Sequence, residues 1–242
     1  MVHVPAGNVG IGLAVAVKLT PGIFIVYLLC TRRWKAAGVA TVTAAGASGV
    51  AWAVAPGDSW TYWTHTLFGG DGIGHPEYLF NQSLMGVVAR ASDPPQRVLW
   101  LLLVLGVVGF GMWRAARAYT AGSELTGLTV AGLTGCLASP ITWVHHIFWF
   151  VPAILLLVTA GTRPLRWMPL LGAAVVYLTV TFSVISFYAY DLHEPGGLTG
   201  AVLGNWDVLL MIALVAALPA VQREPVAAPA DAATDQTLSV NN

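Results

Sequence analysis

The stretch VLWLLLVLGVVGFGMW, residues 98–113, has no ionisable side chain over its whole length. It lacks the alternation of apolar and polar residues that a barrel strand shows, and it is apolar on every helical face. A helix satisfies its own backbone hydrogen bonds and can therefore cross lipid, which takes about 20 residues. The stretch predicts a membrane-spanning helix.

The composition of the chain agrees with a membrane protein. Of its 242 residues, 57% are hydrophobic and 9% are charged, and the mean hydropathy is +0.72. Soluble domains carry roughly 25% charged residues, so a water-soluble globular domain is excluded. The apolar content and the two cysteines exclude disordered and disulfide-rich classes. A net charge of zero offers no basic surface, so we expect no nucleic-acid partner.

Similar apolar runs recur and predict an all-α integral membrane protein, a polytopic bundle of about seven transmembrane helices. The predicted spans are Gly7–Leu29, Ala36–Ala55, Val98–Trp113, Leu125–Ile141, His146–Ala160, Trp167–Phe187 and Ala201–Val221. We predict a transmembrane domain over residues 1–221 and a disordered cytoplasmic tail over residues 222–242, which are rich in Ala, Pro, Asp and Thr.

Basic residues predict the orientation, since Lys and Arg concentrate in short cytoplasmic loops. Eight of the eleven basic residues fall in alternate connections, which we assign to the cytoplasm. The outer loop (residues 56–96), the corner at 139–145 and residues 188–200 are then extracytoplasmic. Met1 also starts outside, and residues 1–6 carry no signal-peptide pattern. We therefore expect a chain that is truncated at its N-terminus.

Lys18 is the only ionisable residue in the middle of a predicted span. A cation there costs about 2.5–3.5 kcal/mol on insertion scales, so a partner or a water-filled cavity is expected. Pro21 lacks a backbone N–H and Gly22 tolerates unusual dihedrals, which predicts a helix break beside the cation. This arrangement suits an anionic headgroup such as a phosphate. The alternatives are a structural ion pair and a lysine that snorkels to one face.

The corner SPITWVHH, residues 139–146, ends in two adjacent histidines. Adjacent residues project from different sides of a helix, so His145 and His146 predict different tasks. One would contact a phosphate or a sugar hydroxyl while the other caps or packs. Trp and His are also common at membrane interfaces, which is the alternative. A third ligand at helical spacing is missing, so we expect no metal site.

The outer loop is about 40 residues long and rich in aromatic residues and glycines. Structureless loops longer than about 12–15 residues are usually functional or disordered, and aromatics argue against disorder. Two interpretations stay open, a surface for a sugar ring and an interfacial helix that dips Trp and Tyr into headgroups. Arg90 and Arg97 are the arginines on this side; they suit a lipid phosphate or pair with Asp93.

Three motifs carry a resemblance to a known family. They are GIGLAVAVKLTP at residues 10–21 running into TRRW at 31–34, NQSL at 81–84, and SPITWVHH at 139–146. In this order they resemble the actinobacterial polyprenol-phosphate-mannose-dependent α-1,2-mannosyltransferases, integral-membrane glycosyltransferases of the GT-C architecture. The resemblance spans most of the chain.

The resemblance implies a hexosyltransferase of the plasma membrane, active on its extracytoplasmic face. Mannose would pass from polyprenyl-phosphate mannose to a phosphatidylinositol mannoside or to lipomannan and lipoarabinomannan, with inversion at the anomeric carbon and no cofactor. By this resemblance the catalytic candidates are His145 and His146, the donor-phosphate candidates Lys18 and Arg90, and the substrate-binding candidates Asn81, Gln82, Ser83 and His75.

One departure from the family pattern concerns the general base. Enzymes of this architecture carry a catalytic Asp or Glu in their first large extracytoplasmic loop, and this chain resembles the C-terminal half that follows it. Neither Asp71 nor Glu77 maps onto that carboxylate, so the base is not assigned. The alternatives are an inactive truncated remnant and a small-molecule transporter. A transporter predicts several polar groups at the bilayer midplane, whereas most candidates here lie at the outer surface.

Overall fold

A computed structural model describes residues 6–66, 75–162, 165–191 and 196–221, and within these ranges the chain is mostly helical without any named strand. The predicted tail, residues 222–242, lies outside the described residues. The helices are α1 (Ala6–Val17), α2 (Ile23–Cys30), α3 (Trp34–Val54), α4 (Pro56–Thr61), α5 (Leu84–Ala91), α6 (Arg97–Thr120), α7 (Glu124–Ala138), α8 (Phe150–Thr162), α9 (Trp167–Phe182), α10 (Val184–Ser186), α11 (Gly197–Leu203) and α12 (Trp206–Ala217).

The all-α membrane architecture is confirmed, but the count of seven spans is not. Two helices, α3 and α6, are long and apolar enough to cross a bilayer by themselves. Two bent pairs raise the number to as many as four: α9 with Val184–Asp191, bent by 54°, and α11 with α12, bent by 60°. The apolar helices α1, α7 and α8 have 12, 15 and 13 residues, short of the about 20 that a bilayer requires.

The first predicted span breaks where its sequence predicts. Helix α1 ends at Val17, a single turn of 3₁₀-helix covers Thr20–Gly22, and α2 begins at Ile23. Pro21 occupies the first positions of that turn, where its missing N–H is tolerated. Lys18 therefore lies in the gap between two helices.

Helix α7 is the central element of the bundle. Eleven of its fifteen residues are buried, and helices α2, α6, α8 and α12 pack around it. Small residues allow this close packing. A Cβ on Gly132 would lie 2.1 Å from the ring of Trp149, so only glycine fits beneath this indole.

Contacts between distant segments close one end of the bundle. Arg33, after the first predicted span, forms an ion pair with Glu124 at the start of α7. Arg114 donates to the carbonyl of Leu218, 2.8 Å away, and the Ser123 hydroxyl donates to the carbonyl of Val221. Three of the four connections that the sequence assigns to one side therefore meet at one end of the molecule.

Candidate functional site

The Lys18 ammonium meets the His146 imidazole at the helix break. Their nitrogens, Nζ and Nε2, lie 2.9 Å apart although the residues are 128 positions apart in sequence. His146 is positioned by the 3₁₀ turn Val144–His146, which joins α7 to α8. The structure thus brings together two candidates from separate motifs.

This contact has a surplus of hydrogen-bond donors. The backbone N–H of Trp143 donates to His146 Nδ1 over 3.1 Å. A neutral imidazole with Nδ1 as acceptor carries its hydrogen on Nε2, the atom that faces Lys18. No carboxylate of the described residues forms an ion pair with Lys18. An oxygen of an anion would satisfy both N–H groups.

The pKa of His146 reflects the same surroundings. Burial, the Lys18 ammonium and the neighbouring His145 ring together lower the pKa of His146 to about 4. The imidazole is therefore neutral at physiological pH and acts as a donor through Nε2.

A large apolar cavity leads to this pair. Its volume is about 520 Å³, and Lys18, His145 and His146 supply its basic side chains. Apolar residues of α1 and α2 form one wall, and Phe148 and Trp149 form another. The lining combines basic side chains with a largely apolar surface, which suits an amphiphile that has an anionic head. We name it the donor cavity, after the hydrogen-bond donors that Lys18 and His146 supply to its lining.

His145 lies beside His146, with ring centroids 4.3 Å apart. Its side chain is exposed and lines two cavities, the donor cavity and a smaller one between α8, α9 and α12. The two histidines thus occupy different surroundings, as the predicted division of tasks requires.

The Asn81-Gln82-Ser83 motif is fully buried and bonded to the protein itself. Asn81 donates to the carbonyls of Pro76 and Pro140 and accepts from the backbone N–H of Thr142. These contacts join the outer loop to the corner that carries the histidines. Asn81 therefore positions the corner, and its substrate-binding role stays a prediction.

Gln82 and Ser83 make similar internal bonds. The Gln82 amide donates to the carbonyls of Leu79 and Gly204, and its Oε1 atom is buried without a partner. Ser83 caps α5 by accepting from the N–H of Gly86 and donates to the carbonyl of Pro140. Since neither side chain lines the donor cavity, their substrate-binding role also stays a prediction.

Arg90 lies in a different cavity from Lys18. Its guanidinium donates to the carbonyls of Tyr78 and Asn81 and to the side chain of Asn205. Burial lowers the pKa of Arg90 to about 10. The alternative pairing of Arg90 with Asp93 is not seen: no ion pair of Arg90 is present in the described residues. Arg90 does not line the donor cavity.

His75 lies at the exposed surface, where its Nδ1 atom is 3.0 Å from a carboxylate oxygen of Glu77. Its ring centroid is 6.1 Å from that of Tyr78, and Tyr78 in turn lies 6.3 Å from Trp143. A chain of aromatic contacts thus links His75 to the corner without placing it in the donor cavity. Asp71 lies outside the described residues.

Sequence reasoning missed Asp207. This carboxylate lies in the first turn of α12, inside the last predicted span, and only 5% of its surface is exposed. It lines the smaller cavity together with His145. Its position in an apolar run was a signal for a functional residue, which the focus on Lys18 as the only ionisable residue in a span passed over.

Part of the chain matches a known protein family. Residues 3–140, more than half of the chain, match the profile of glycosyltransferase family 87. The chain belongs to glycosyltransferase family 87. The matched range contains Lys18, the buried Asn81-Gln82-Ser83 motif and Arg90, and it ends just before the two histidines.

Curated relatives of this glycosyltransferase 87 chain come from mycobacteria. It is 36% identical over 155 residues to a polyprenol-phosphate-mannose-dependent α-(1-2)-phosphatidylinositol mannoside mannosyltransferase of Mycobacterium tuberculosis, covering 63% of this chain and 36% of the relative. It is 34% identical over 180 residues to the protein of the same description in Mycolicibacterium smegmatis, covering 70% and 41%.

A third relative, also from Mycolicibacterium smegmatis, is a phosphatidylinositol pentamannoside mannosyltransferase that is 32% identical over 174 residues, covering 70% of this chain and 42% of the relative. The chain spans about two fifths of the length of the curated relatives it matches. No solved structure matches it.

Proposed function

We propose that this family 87 protein is a membrane hexosyltransferase that transfers mannose from polyprenyl-phosphate mannose to a mannosylated glycolipid in α-1,2 linkage. The observation that carries the proposal is the contact between Lys18 and His146 at the polar end of the donor cavity. The printed descriptions of the relatives, which name a polyprenol-phosphate-mannose donor and phosphatidylinositol mannoside acceptors, support the same reading.

The donor lipid fits the cavity by its chemistry. Its phosphate carries the oxygens that the Lys18 ammonium and the His146 Nε2–H lack as partners. Its polyprenyl chain is apolar and would lie along Phe24, Phe148 and Trp149. We assign phosphate binding to Lys18 and His146, with His145 at the edge where the sugar is attached.

Catalysis by these side chains would be electrostatic. When the acceptor hydroxyl attacks the anomeric carbon, the bond to the phosphate oxygen breaks and negative charge grows on the leaving lipid phosphate. A fixed cation and a fixed N–H in an apolar cavity stabilise that charge without reorganising. Inversion of a β-linked mannosyl phosphate gives the α-linked product. The proton of the acceptor hydroxyl passes to a general base as the new glycosidic bond forms.

The proposed location is the plasma membrane, with the donor cavity toward the extracytoplasmic face. Asn81 and Gln82 of the outer loop bond to Pro140 and Thr142 of the corner, so two of the three connections predicted to be outside meet at one end. Basic residues dominate the opposite connections. The transmembrane domain over residues 1–221 is part of the same proposal.

A membrane assay tests the transfer. Membranes that contain the chain receive radiolabelled polyprenyl-phosphate mannose and a phosphatidylinositol dimannoside, and the labelled glycolipid is counted. Lys18→Met and His146→Ala each remove one donor to the leaving phosphate, and we expect each to lower transfer about 100-fold. Lys35→Met, which removes an exposed cation near the start of α3, serves as the matched control.

Donor binding is measured separately by photo-crosslinking. A polyprenyl phosphate with a diazirine near its head should crosslink to α1 and α8 in the wild type and in Lys35→Met, and far less in Lys18→Met. Crosslinking that is equal in wild type and Lys18→Met would contradict the donor site. Crosslinking without transfer would retain the donor site and contradict transferase activity of this chain.

A further inference from the structure

A second cavity lies on the other side of the turn that carries His145. Its volume is about 230 Å³, it lies between α8, α9 and α12, and Asp207, Thr179 and Ser183 are its other polar residues. His145 and Phe148 line both this cavity and the donor cavity. We name it the Asp207 cavity.

Asp207 is a buried carboxylate for which the described residues provide no hydrogen-bond partner. Only 5% of its surface is exposed, and its Oδ1 atom is buried and unpartnered. No donor in the described ranges forms a hydrogen bond or an ion pair with it. Burial of such a group opposes folding unless something else satisfies it.

The surrounding structure holds Asp207 in place. The indole N–H of its neighbour Trp206 donates to the Thr179 hydroxyl over 2.9 Å and fastens α12 to α9. The Thr179 hydroxyl donates its hydrogen to the carbonyl of Val175, so that hydrogen is not available to Asp207. The carboxylate is therefore fixed in the cavity wall, and an external ligand is left to supply donors.

The lining selects the class of ligand. A metal ion is disfavoured, because the described residues include no group of three or more metal-ligating side chains. Phe148 and Phe150 give apolar faces beside the carboxylate. Hydroxyl groups that donate to a carboxylate, joined to a C–H face that packs on aromatic rings, are the features of a sugar.

We propose that the Asp207 cavity binds a hexose ring, with Asp207 accepting hydrogen bonds from the hydroxyl groups of the sugar. This inference rests on the proposed function, since His145 would then separate the sugar from the lipid phosphate in the donor cavity. Both the mannosyl group of the donor and that of the acceptor have this chemistry.

Carboxyl labelling tests the site in the full chain, without any need for transfer. Dicyclohexylcarbodiimide modifies carboxyl groups in apolar surroundings, and mass spectrometry measures the adduct at Asp207 in detergent micelles. We expect methyl α-D-mannopyranoside to slow labelling at Asp207 several-fold and to leave labelling of the exposed Asp58 unchanged. An unchanged rate at Asp207 would overturn the proposal.

Two further ligands separate the sources of the sugar. Protection of Asp207 by polyprenyl-phosphate mannose alone assigns the site to the donor, and protection by phosphatidylinositol dimannoside alone assigns it to the acceptor. In Lys18→Met, methyl mannoside should still protect Asp207, while crosslinking of polyprenyl phosphate is lost. If Lys18→Met loses crosslinking and methyl mannoside does not protect Asp207, this inference is overturned and the donor site is retained. If Lys18→Met keeps crosslinking and methyl mannoside protects Asp207, the donor site alone is overturned.

A stability measurement distinguishes ligand binding from a structural role. Asp207→Asn removes an uncompensated buried charge, so we expect the thermal unfolding midpoint to rise by about 2–4 °C. Asp207→Asn has no carboxyl group at this position for the carbodiimide to label, so binding of tritiated methyl mannoside is measured instead. We expect this binding to fall. Asp58→Asn should leave the midpoint and the binding unchanged. A lower midpoint in Asp207→Asn would mark the carboxylate as a structural partner and overturn the proposal.

Discussion

At the scale of single residues, the Lys18–His146 contact predicts a change in a titration. Burial and the Lys18 ammonium lower the pKa of His146, and Lys18→Met removes that ammonium, so this pKa should rise from about 4 towards 6.5. Nuclear magnetic resonance of protein that contains isotope-labelled histidine measures the pKa of His146. The resonance that disappears in His146→Ala belongs to His146. Lys35→Met is the control and should leave the pKa of His146 unchanged. An unchanged pKa of His146 in Lys18→Met would contradict the contact.

The sign of the pH dependence follows from the same residue. The unfolded chain binds a proton at this imidazole below about pH 6.5, whereas the folded chain binds it only below about pH 4. The neutral imidazole therefore supports the fold fully above pH 6.5, and that support is lost as the pH falls towards 4. In Lys18→Met the folded-state pKa of His146 should be higher, so the pH range over which this support is lost should be narrower.

Asn81 carries a prediction about stability. Asn81→Ala leaves the N–H of Thr142 without its partner and frees the carbonyl of Pro140 from one donor, at about 1–3 kcal/mol for each unsatisfied buried group. We expect a lower thermal midpoint and a corner that is more accessible to labelling. Asn205→Ala, which removes a partner of Arg90, should be milder because Arg90 retains two carbonyl acceptors. An unchanged midpoint in Asn81→Ala would contradict its positioning role.

At the scale of elements, the packing of α7 under Trp149 predicts that the donor cavity can be closed. Gly132→Val places atoms where the indole now lies and should push Trp149 into the cavity. Crosslinking of polyprenyl phosphate should fall at least as far as in Lys18→Met. Gly109→Val is the matched control, because a Cβ at Gly109 of α6 meets open space. Normal crosslinking in Gly132→Val would place the lipid elsewhere.

Individual elements differed in how far their sequence predicted them. The break after Val17 was predictable because Pro21 and Gly22 act locally on the backbone. The bend of 54° after α9 was not, because it occurs at Ser183, which adopts a left-handed conformation with φ of 48° and carries no sequence signal for it. The predicted fifth span began at His146, whereas α8 begins at Phe150 since the histidines form a separate turn.

At the scale of the whole molecule, the orientation is open to a direct test. In a background without Cys30 and Cys136, single cysteines are introduced as Ser59→Cys in α4 and Lys35→Cys in α3. A membrane-impermeant maleimide should label the first in intact cells and the second only after lysis. Labelling in the opposite order would reverse the proposed extracytoplasmic face.

The site was predictable where polar residues stand out against an apolar chain. The sequence marks Lys18 and His146 separately, and their contact depends on how close the helix break after α1 lies to the corner, which no local pattern encodes. Arg90 was grouped with Lys18 because both are cations on or near one side, yet carbonyls and Asn205 hold it elsewhere. The internal bonding of Asn81 was not predictable, since an exposed and a buried amide look alike in a sequence.

The burial of α7 has a consequence for how the protein is made. Its threonines at 126, 129 and 134 are shielded by neighbouring helices in the finished bundle, and it is too short to cross a bilayer comfortably alone. Such a segment gains little by leaving the translocon for lipid before its partners arrive. Helix α6, long and strongly apolar, precedes it by only a short connection. Biogenesis would therefore proceed by release of α6 and α7 as a hairpin, with the later helices recruited onto it.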